Sequence, residues 1–195
     1  MRFIKRLSEV GISDIASVGG KNASLGEMIR ALKSKGVQVP SGFAITAEGY
    51  RFFIHQAGLD QRIKDILTGL DTSDLPGLAA RGEQVRTAIT AAALPDELQR
   101  EIVEAYASME QEYNTEVDVA VRSSATAEDL PDASFAGQQD TYLNVRGRED
   151  LLEKIRMCFA SLFTNRAISY REDRGYDHFD VYLSVGVQKM ARSDK

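Results

Sequence analysis

The stretch Val117-Asp-Val-Ala-Val-Arg-Ser-Ser124 marks a change of period in the sequence. Its valines alternate with other residues, which is typical of a β-strand with one apolar face. Most of the chain before this stretch has helical spacing of its apolar residues, and both strands and helices follow it. The sequence therefore predicts an α+β fold, with a mostly helical part over residues 1–115 and a β-rich part over residues 116–195.

Before the change of period, the pattern predicts helices and one short strand. A helix over residues 21–32 ends at Gly36, and its apolar stripe consists of Leu25, Met28, Ile29 and Leu32. Gly42–Ile45 is predicted to be a strand, and Thr46 is a good N-cap for the helix after it. Asp96–Tyr113 is predicted to be another helix, with a proline at its start.

After the change of period, the pattern predicts a loop over residues 123–138 and a strand over residues 139–145. A helix over residues 149–170, with a break near Thr164, leads to a last strand over residues 181–190. The chain ends directly after this strand, and a lone strand needs partners. We therefore expect a truncated chain whose next strands are missing.

The composition excludes several classes of protein. With 43% hydrophobic and 27% charged residues, the 195-residue chain is typical of a globular protein rather than a disordered one. A net charge of -5 argues against a nucleic-acid-binding protein, and no apolar run approaches the roughly 20 residues of a membrane helix. The single Cys158 excludes an internal disulfide and a multi-thiolate metal site. Because the N-terminus lacks a secretory apolar run, we expect a cytoplasmic location.

Two glycines and a lysine stand at the start of the first predicted helix, in Val18-Gly-Gly-Lys-Asn-Ala-Ser24. Backbone N–H groups at a helix N-terminus favour anions, whereas a lysine there opposes the helix dipole at a cost of about 0.3–1 kcal/mol. Lys21 therefore fits a site that an anion completes. The alternative is a solvated surface lysine behind a glycine N-cap, which the spacing does not exclude.

Arg122 is a second candidate phosphate ligand, because a guanidinium is suited to phosphate oxygens and small hydroxyl residues follow it. Further along, Ser134-Phe-Ala-Gly-Gln-Gln-Asp-Thr141 places small residues around Gly137, where the backbone can approach a ligand closely. The alternative is a surface loop in which Arg122 pairs with Glu128 or Asp129.

The last predicted strand offers a third candidate. Gln188 and Met190 lie on the same side as Gly186 and could line a flat pocket for a base, but the pattern alone favours an edge strand with a solvated face. The chain lacks the P-loop, dinucleotide-binding and zinc-protease motifs, and its two histidines, His55 and His178, lie far apart.

These pieces occur together in one protein family. The chain resembles the N-terminal ATP-binding region of the phosphoenolpyruvate synthases, or pyruvate, water dikinases, over about residues 7–194. The matching runs are residues 18–28, 39–43, 120–129, 131–139, 160–163 and 166–171. The resemblance implies an ATP-grasp-like N-terminal lobe with a helical subdomain and a mostly antiparallel sheet. It also implies truncation before the second lobe, the phosphohistidine domain and the pyruvate-binding domain.

The resemblance assigns a nucleotide to the candidate residues. The implied ATP-binding residues are Lys21, Arg122, Gly137, Thr141, Gln188 and Met190. Lys21 and Arg122 would contact the phosphates, and Gln188 and Met190 would reach the adenine side. Arg166 and Arg171 match without an assigned role. No catalytic residue and no metal ligand is implied within the chain, and His178 is not the family's phosphohistidine.

The implied chemistry is phosphoryl transfer. In the family, the β-phosphate of ATP reaches a histidine on a mobile domain, the γ-phosphate is released to water, and the phosphohistidine converts pyruvate to phosphoenolpyruvate. ATP and Mg²⁺ are the implied cofactors, and pyruvate is the second substrate. No nucleic acid or membrane partner is expected, and the resemblance allows a homodimer of the full-length protein. We expect the chain alone to lack turnover.

Alternatives remain in two classes. The chain also resembles the ATP-binding lobe of rifampicin phosphotransferases and, more distantly, of pyruvate, phosphate dikinases, although the run over residues 20–28 favours the synthases. In a different class, the chain would be a non-catalytic helical interaction module, in which Lys21 and Arg122 are only surface charges.

Overall fold

The computed structural model describes residues 1–33, 35–37, 39–126 and 140–191. Within these ranges, the strands are β1 (Ile4–Arg6), β2 (Gly42–Ile45), β3 (Val119–Ala125), β4 (Thr141–Val145) and β5 (Leu183–Lys189). The α-helices are α1 (Ile15–Lys33), α2 (Ala47–Gln56), α3 (Leu59–Leu67), α4 (Leu75–Ala91), α5 (Asp96–Tyr113), α6 (Gly147–Ala160) and α7 (Asn165–Arg174). Short 3-10 turns cover Leu7–Glu9, Ile12–Asp14 and Ser161–Phe163.

The strands form one antiparallel sheet in the order β1-β2-β5-β3-β4, which confirms the predicted α+β class. The last strand, β5, lies at the centre, where β2 and β3 pair with its two sides. The expectation that this strand lacks partners within the chain is therefore wrong, and so is the alternative of an edge strand. A local pattern does not reveal partners that come from distant parts of the chain.

Helices cover the two faces of the sheet unequally. One face, which includes Val121 and Val187, belongs to the larger core, together with residues of α2 to α7. The other face packs against α1, where Leu7, Val10 and Ala44 are buried in a smaller core. None of the helices in the described residues is both long enough and apolar enough to cross a membrane.

Small residues carry the contact between α1 and the sheet, and the predicted apolar stripe is wrong at Met28, which is 47% exposed. The buried residues of α1 are Val18, Gly19, Asn22, Ala23, Gly26 and Ile29. A Cβ atom at Gly26 would overlap the carbonyl oxygen of Val10 and lie 2.7 Å from that of Leu7. The helix therefore touches neighbouring backbone directly, a mode of packing that a search for large apolar side chains misses.

Strand β3 extends further than predicted, because residues 123–125 belong to the strand and not to a loop. Ser123 and Ser124 are buried and pair with Val185 and Ser184 of β5. Arg122 consequently lies in the middle of the strand and not at its end. Of these two serines, Ser124 lies against α1, where a Cβ at Gly19 would meet its hydroxyl oxygen.

Two predicted helix starts are confirmed by their capping hydrogen bonds. The hydroxyl of Thr46 accepts a hydrogen bond from the N–H of Gly49 at 3.3 Å, and α2 begins there. The hydroxyl of Thr164 accepts one from the N–H of Ala167 at 3.2 Å, which separates α7 from α6 at the predicted break. Such caps satisfy N–H groups that have no partner within the helix.

A buried charged cluster ties α7 to the segment before β5 and explains Arg171, which had no role from sequence. The side chain of Arg171 is fully buried, and its Nε donates a hydrogen bond to Nδ1 of His178 at 2.8 Å. Its Nη2 donates to the carbonyl oxygen of Leu162, also at 2.8 Å. Because Nδ1 accepts, His178 is neutral and carries its proton on Nε2, 2.8 Å from Oε1 of Glu172.

The backbone contact of α1 predicts a large cost for a single added methyl group. Replacing Gly26 with Ala forces Cβ into the carbonyl oxygens of residues 7 and 10, and we expect the free energy of unfolding to fall by about 1–3 kcal/mol. The matched control is Gly77→Ala, at a helical glycine whose Cβ would meet only the movable Asp74 side chain. Urea unfolding of both variants measures the difference. A Gly26→Ala protein as stable as the Gly77→Ala protein would contradict the backbone contact.

The Arg171–His178 pair predicts a stability that falls on acidification. Burial, and secondly the Arg171 charge, lower the pKa of His178 against the opposite effect of Glu172. The unfolded chain, with its ordinary histidine pKa of about 6.5, therefore binds the proton first as the pH falls. Between pH 7 and pH 5 the free energy of unfolding should fall, with a slope of at most about 1.4 kcal/mol per pH unit from this group.

His178→Gln is the control for this pH dependence, because glutamine offers a neutral acceptor and donor but does not titrate. Urea unfolding at several pH values should give a flatter profile for the variant than for the unchanged protein. Parallel profiles would show that His178 is not the titrating group.

Candidate functional site

Three candidate residues meet on the face of the sheet that carries α1. Arg122 of β3 stands directly opposite Thr141 of β4 on one side and Gly186 of β5 on the other. Gln188 lies two residues beyond Gly186, on the same face, because side chains alternate along a strand. Arg122 and Thr141 are exposed, so a guanidinium and a hydroxyl are presented side by side.

Lys21 lies on α1 between two points of contact with this face. On one side of it, Gly19 has a left-handed φ of 75°, and a Cβ there would lie 2.6 Å from the carbonyl oxygen of Ser124. On the other side, Asn22 is buried against Gly186. Lys21 itself is exposed and sits in the first turn that follows the break in α1.

Both contacts of α1 fall near Arg122 in the sheet. Gly186 is the cross-strand neighbour of Arg122, and neighbouring strands are about 4.8 Å apart. Ser124 is two residues from Arg122, or about 7 Å along the strand. Lys21 thus lies in the chain between two residues whose contacts flank Arg122.

Gln188 and Met190 lie further along β5 and the segment after it, and both are half-buried. Nε2 of Gln188 donates a hydrogen bond to the carbonyl oxygen of Pro40 at 3.2 Å. The N–H of Met190 donates to the carbonyl oxygen of Asp118 at 3.0 Å, which extends the pairing with the β3 side. Both residues thus lie further along the chain than Gly186, which is the cross-strand neighbour of Arg122.

Other residues from the sequence analysis lie elsewhere in the fold or outside the described residues. Gly137 and the alternative partners of Arg122, Glu128 and Asp129, lie outside the described residues. Arg166 is exposed on α7, in a different part of the fold from α1. Within the described ranges, no three His, Cys, Asp or Glu side chains form a group that could hold a metal ion. Cys158 is fully buried, and burial raises the pKa of its thiol, as expected of a packed core residue.

Sequence reasoning missed the residues that hold α1 against the sheet, namely Asn22, Ser184 and Gly186. Asn22 is 4% exposed, although asparagine is mostly a surface residue. A signal was present, because Gly19, Asn22, Ala23 and Gly26 recur at helical spacing as a stripe of small residues. That stripe lacks the large apolar side chains that normally identify a buried helix face.

A cleft of about 900 Å³ lies elsewhere, between β1, the end of α1 and α5. Its lining includes Arg6, Lys33, Phe43, Met109 and Tyr113, and it contains none of the candidate ATP-binding residues. The candidate site is thus an exposed face of the sheet beside a helix N-terminus, and it differs from this cleft.

Comparison with known proteins identifies the family of the chain. Residues 15–195 match the profile of the family described as "Pyruvate phosphate dikinase, AMP/ATP-binding domain". The chain is 59% identical over 191 residues to a phosphoenolpyruvate synthase of Synechocystis sp., which covers 95% of the chain and 23% of that relative. It is 57% identical over 189 residues to the same-named protein of Aquifex aeolicus, which covers 96% of the chain and 22% of that relative.

A third relative, the phosphoenolpyruvate synthase of Helicobacter pylori, is 53% identical over 196 residues. This alignment covers the whole chain and 24% of the relative. The chain thus spans about a quarter of the length of these curated relatives. Since the family profile extends over nearly all of its residues, the chain belongs to the family of the pyruvate phosphate dikinase AMP/ATP-binding domain.

Proposed function

We propose that this chain binds the magnesium complex of ATP for a phosphoenolpyruvate synthase reaction. In that reaction ATP, pyruvate and water give AMP, phosphoenolpyruvate and phosphate through a phosphohistidine supplied outside this chain. The names of the relatives support the reaction, and the family supports the nucleotide. The residue roles rest on one observation. Lys21 lies in the chain between the Gly19–Ser124 and Asn22–Gly186 contacts, and both contacts are near Arg122.

In this proposal, Lys21 and Arg122 bind the phosphates and Thr141 adds a hydroxyl donor. Gly137 approaches the nucleotide, and Gln188 and Met190 reach the adenine side. At about 4 Å and an effective dielectric constant near 20, each contact of a cation with a phosphate charge contributes about 4 kcal/mol before desolvation is subtracted. Phosphoryl transfer mainly needs such positioning and charge neutralisation.

Magnesium enters the proposal as the counter-ion of the nucleotide. The described residues contain no group of three carboxylate, histidine or cysteine side chains that could hold a metal ion. No step of the proposal is therefore assigned to a metal held by this part of the chain.

The remaining expectations are proposals of the same kind. They are a cytoplasmic location, no nucleic acid partner, and a homodimer of the full-length protein as an allowed assembly. The division of one lobe into a mostly helical part over residues 1–115 and a β-rich part over residues 116–195 also stays a proposal. Strands of both parts contribute to the same sheet.

The proposed phosphate contacts predict weaker nucleotide binding when either cation is removed. In the complete gene product that contains this chain, Lys21→Ala and Arg122→Ala should each raise the Kd for magnesium ATP about 10- to 100-fold, because a charged hydrogen bond contributes about 1.5–3 kcal/mol. Titration calorimetry measures the Kd. The matched controls are Lys33→Ala, in the last turn of α1, and Arg62→Ala, at an exposed position of α3. Both variants should bind magnesium ATP normally.

Undiminished binding in both site variants would refute the assigned roles. It would favour the alternative of a helical interaction module, in which both cations are only surface charges.

The reaction itself predicts a specific set of products. With ATP and pyruvate, the complete gene product should form AMP and inorganic phosphate in equal amounts, and omission of pyruvate should stop steady turnover. Chromatography of nucleotides, with assays for phosphate and pyrophosphate, measures this outcome. For the 195-residue chain alone we expect no AMP.

The same assay separates the alternative enzymes. Pyrophosphate formation that requires added phosphate would identify a pyruvate, phosphate dikinase, because phosphate would then accept the γ-phosphoryl group. AMP formation that requires rifampicin and ignores pyruvate would identify an antibiotic phosphotransferase.

A further inference from the structure

The side chain of Asn22 links three elements of the fold directly below the proposed phosphate site. Its Nδ2 donates hydrogen bonds to the carbonyl oxygen of Val18 at 3.0 Å and to the hydroxyl of Ser184 at 3.1 Å. The hydroxyl of Ser184 in turn donates to the carbonyl oxygen of Ile45 at 2.7 Å. A continuous hydrogen-bonded line therefore runs from α1 through β5 to β2.

This line is buried and closely fitted. Asn22 is 4% exposed and Ser184 is fully buried, so an unmatched polar atom at either position would be costly. The Asn22 amide lies so near Gly186 that a Cβ there would overlap Oδ1 and lie 3.1 Å from Cγ. This amide contact consequently fixes how closely α1 approaches β5 and where along the strand the helix lies.

The fixed point lies beside both cations of the proposed site. Gly186 stands opposite Arg122 in the sheet, and Asn22 follows Lys21 in the chain. A shift of Asn22 therefore moves Lys21 relative to Arg122. A loss of alignment of about 1 Å in a charged site is enough to change function strongly.

We propose that Asn22 is a positioning residue for the phosphate site, which sets the distance of Lys21 from Arg122 through its contacts with Ser184 and Gly186. This inference rests on the proposed function, and it adds a residue that does not touch the nucleotide. Asn22 acts through Lys21, so its contribution to binding should disappear when the lysine is absent.

A double-mutant cycle with magnesium ATP tests this coupling in the complete gene product. Asn22→Ala should raise the Kd for magnesium ATP about 3- to 10-fold, because Lys21 is then no longer held at its distance from Arg122. In a Lys21→Ala background, the same change should raise the Kd less than about twofold, because no lysine remains to be positioned. The Kd for adenosine, which lacks phosphates, should likewise stay within about twofold.

Two further variants separate positioning from general instability. Ser184→Ala removes one partner of the Asn22 amide and should give a smaller rise in the Kd for ATP, which keeps the test available if Asn22→Ala folds poorly. Thr164→Ala removes the cap of α7, across the sheet from α1, and should lower stability without changing the Kd. Circular dichroism confirms that each protein is folded at the temperature of the titration.

The outcomes are distinct. If Lys21→Ala alone binds ATP normally, the proposed role of Lys21 fails, and the positioning role fails with it. If Lys21→Ala binds weakly but Asn22→Ala and Ser184→Ala bind normally, only the positioning role fails. A full and independent effect of Asn22→Ala in the Lys21→Ala background, or an equal effect on adenosine, would also overturn it.

Discussion

The close approach of α1 to the backbone of its neighbours is the constraint on which the rest of this structure depends. Gly19, Gly26 and Gly186 each lack a Cβ where one would strike another residue, so the helix rests on backbone and small side chains. Dispersion and hydrogen bonding weaken quickly with distance, so even a small displacement of α1 would weaken this contact. The stripe of small residues on α1 and the small residues at the end of β3 are two sides of one interface.

This constraint also connects the fold to the proposed site. The glycines of α1 and β5 let the helix contact the backbone and small side chains of its neighbours directly. The turn of α1 that follows the break at Gly19 is therefore held by contacts with residues near Arg122. In the proposed site, Lys21 and Arg122 would supply local positive charge in a chain whose net charge is -5. The average charge of the sequence consequently says little about an anionic ligand.

The opposite face of the sheet follows more ordinary rules. There the valines of β3 and β5 meet the aromatic and aliphatic residues of several helices in one large core. Arg171 is the exception, because a guanidinium is enclosed and has to be matched by His178 and a carbonyl oxygen. Its presence in a run shared with the family is explained by this packing, without any contact with a ligand. The face opposite α1 thus forms the larger core, whereas the α1 face combines a smaller core with the exposed side chains of Arg122 and Thr141.

The sequence by itself determined the family and those elements whose signals are local. The spacing of apolar residues, the capping residues and a proline located α5, β2 and the break before α7, because each of these signals spans only a few residues of the chain. The resemblance named Lys21, Arg122, Thr141 and Gln188, but only the tertiary structure decided that Arg122 adjoins Thr141 and Gly186. It also decided that β5 is central, that Met28 is exposed and that Asn22 is buried. Strand partners and backbone-to-backbone contacts join residues distant in the chain, and no local spacing of apolar residues encodes them.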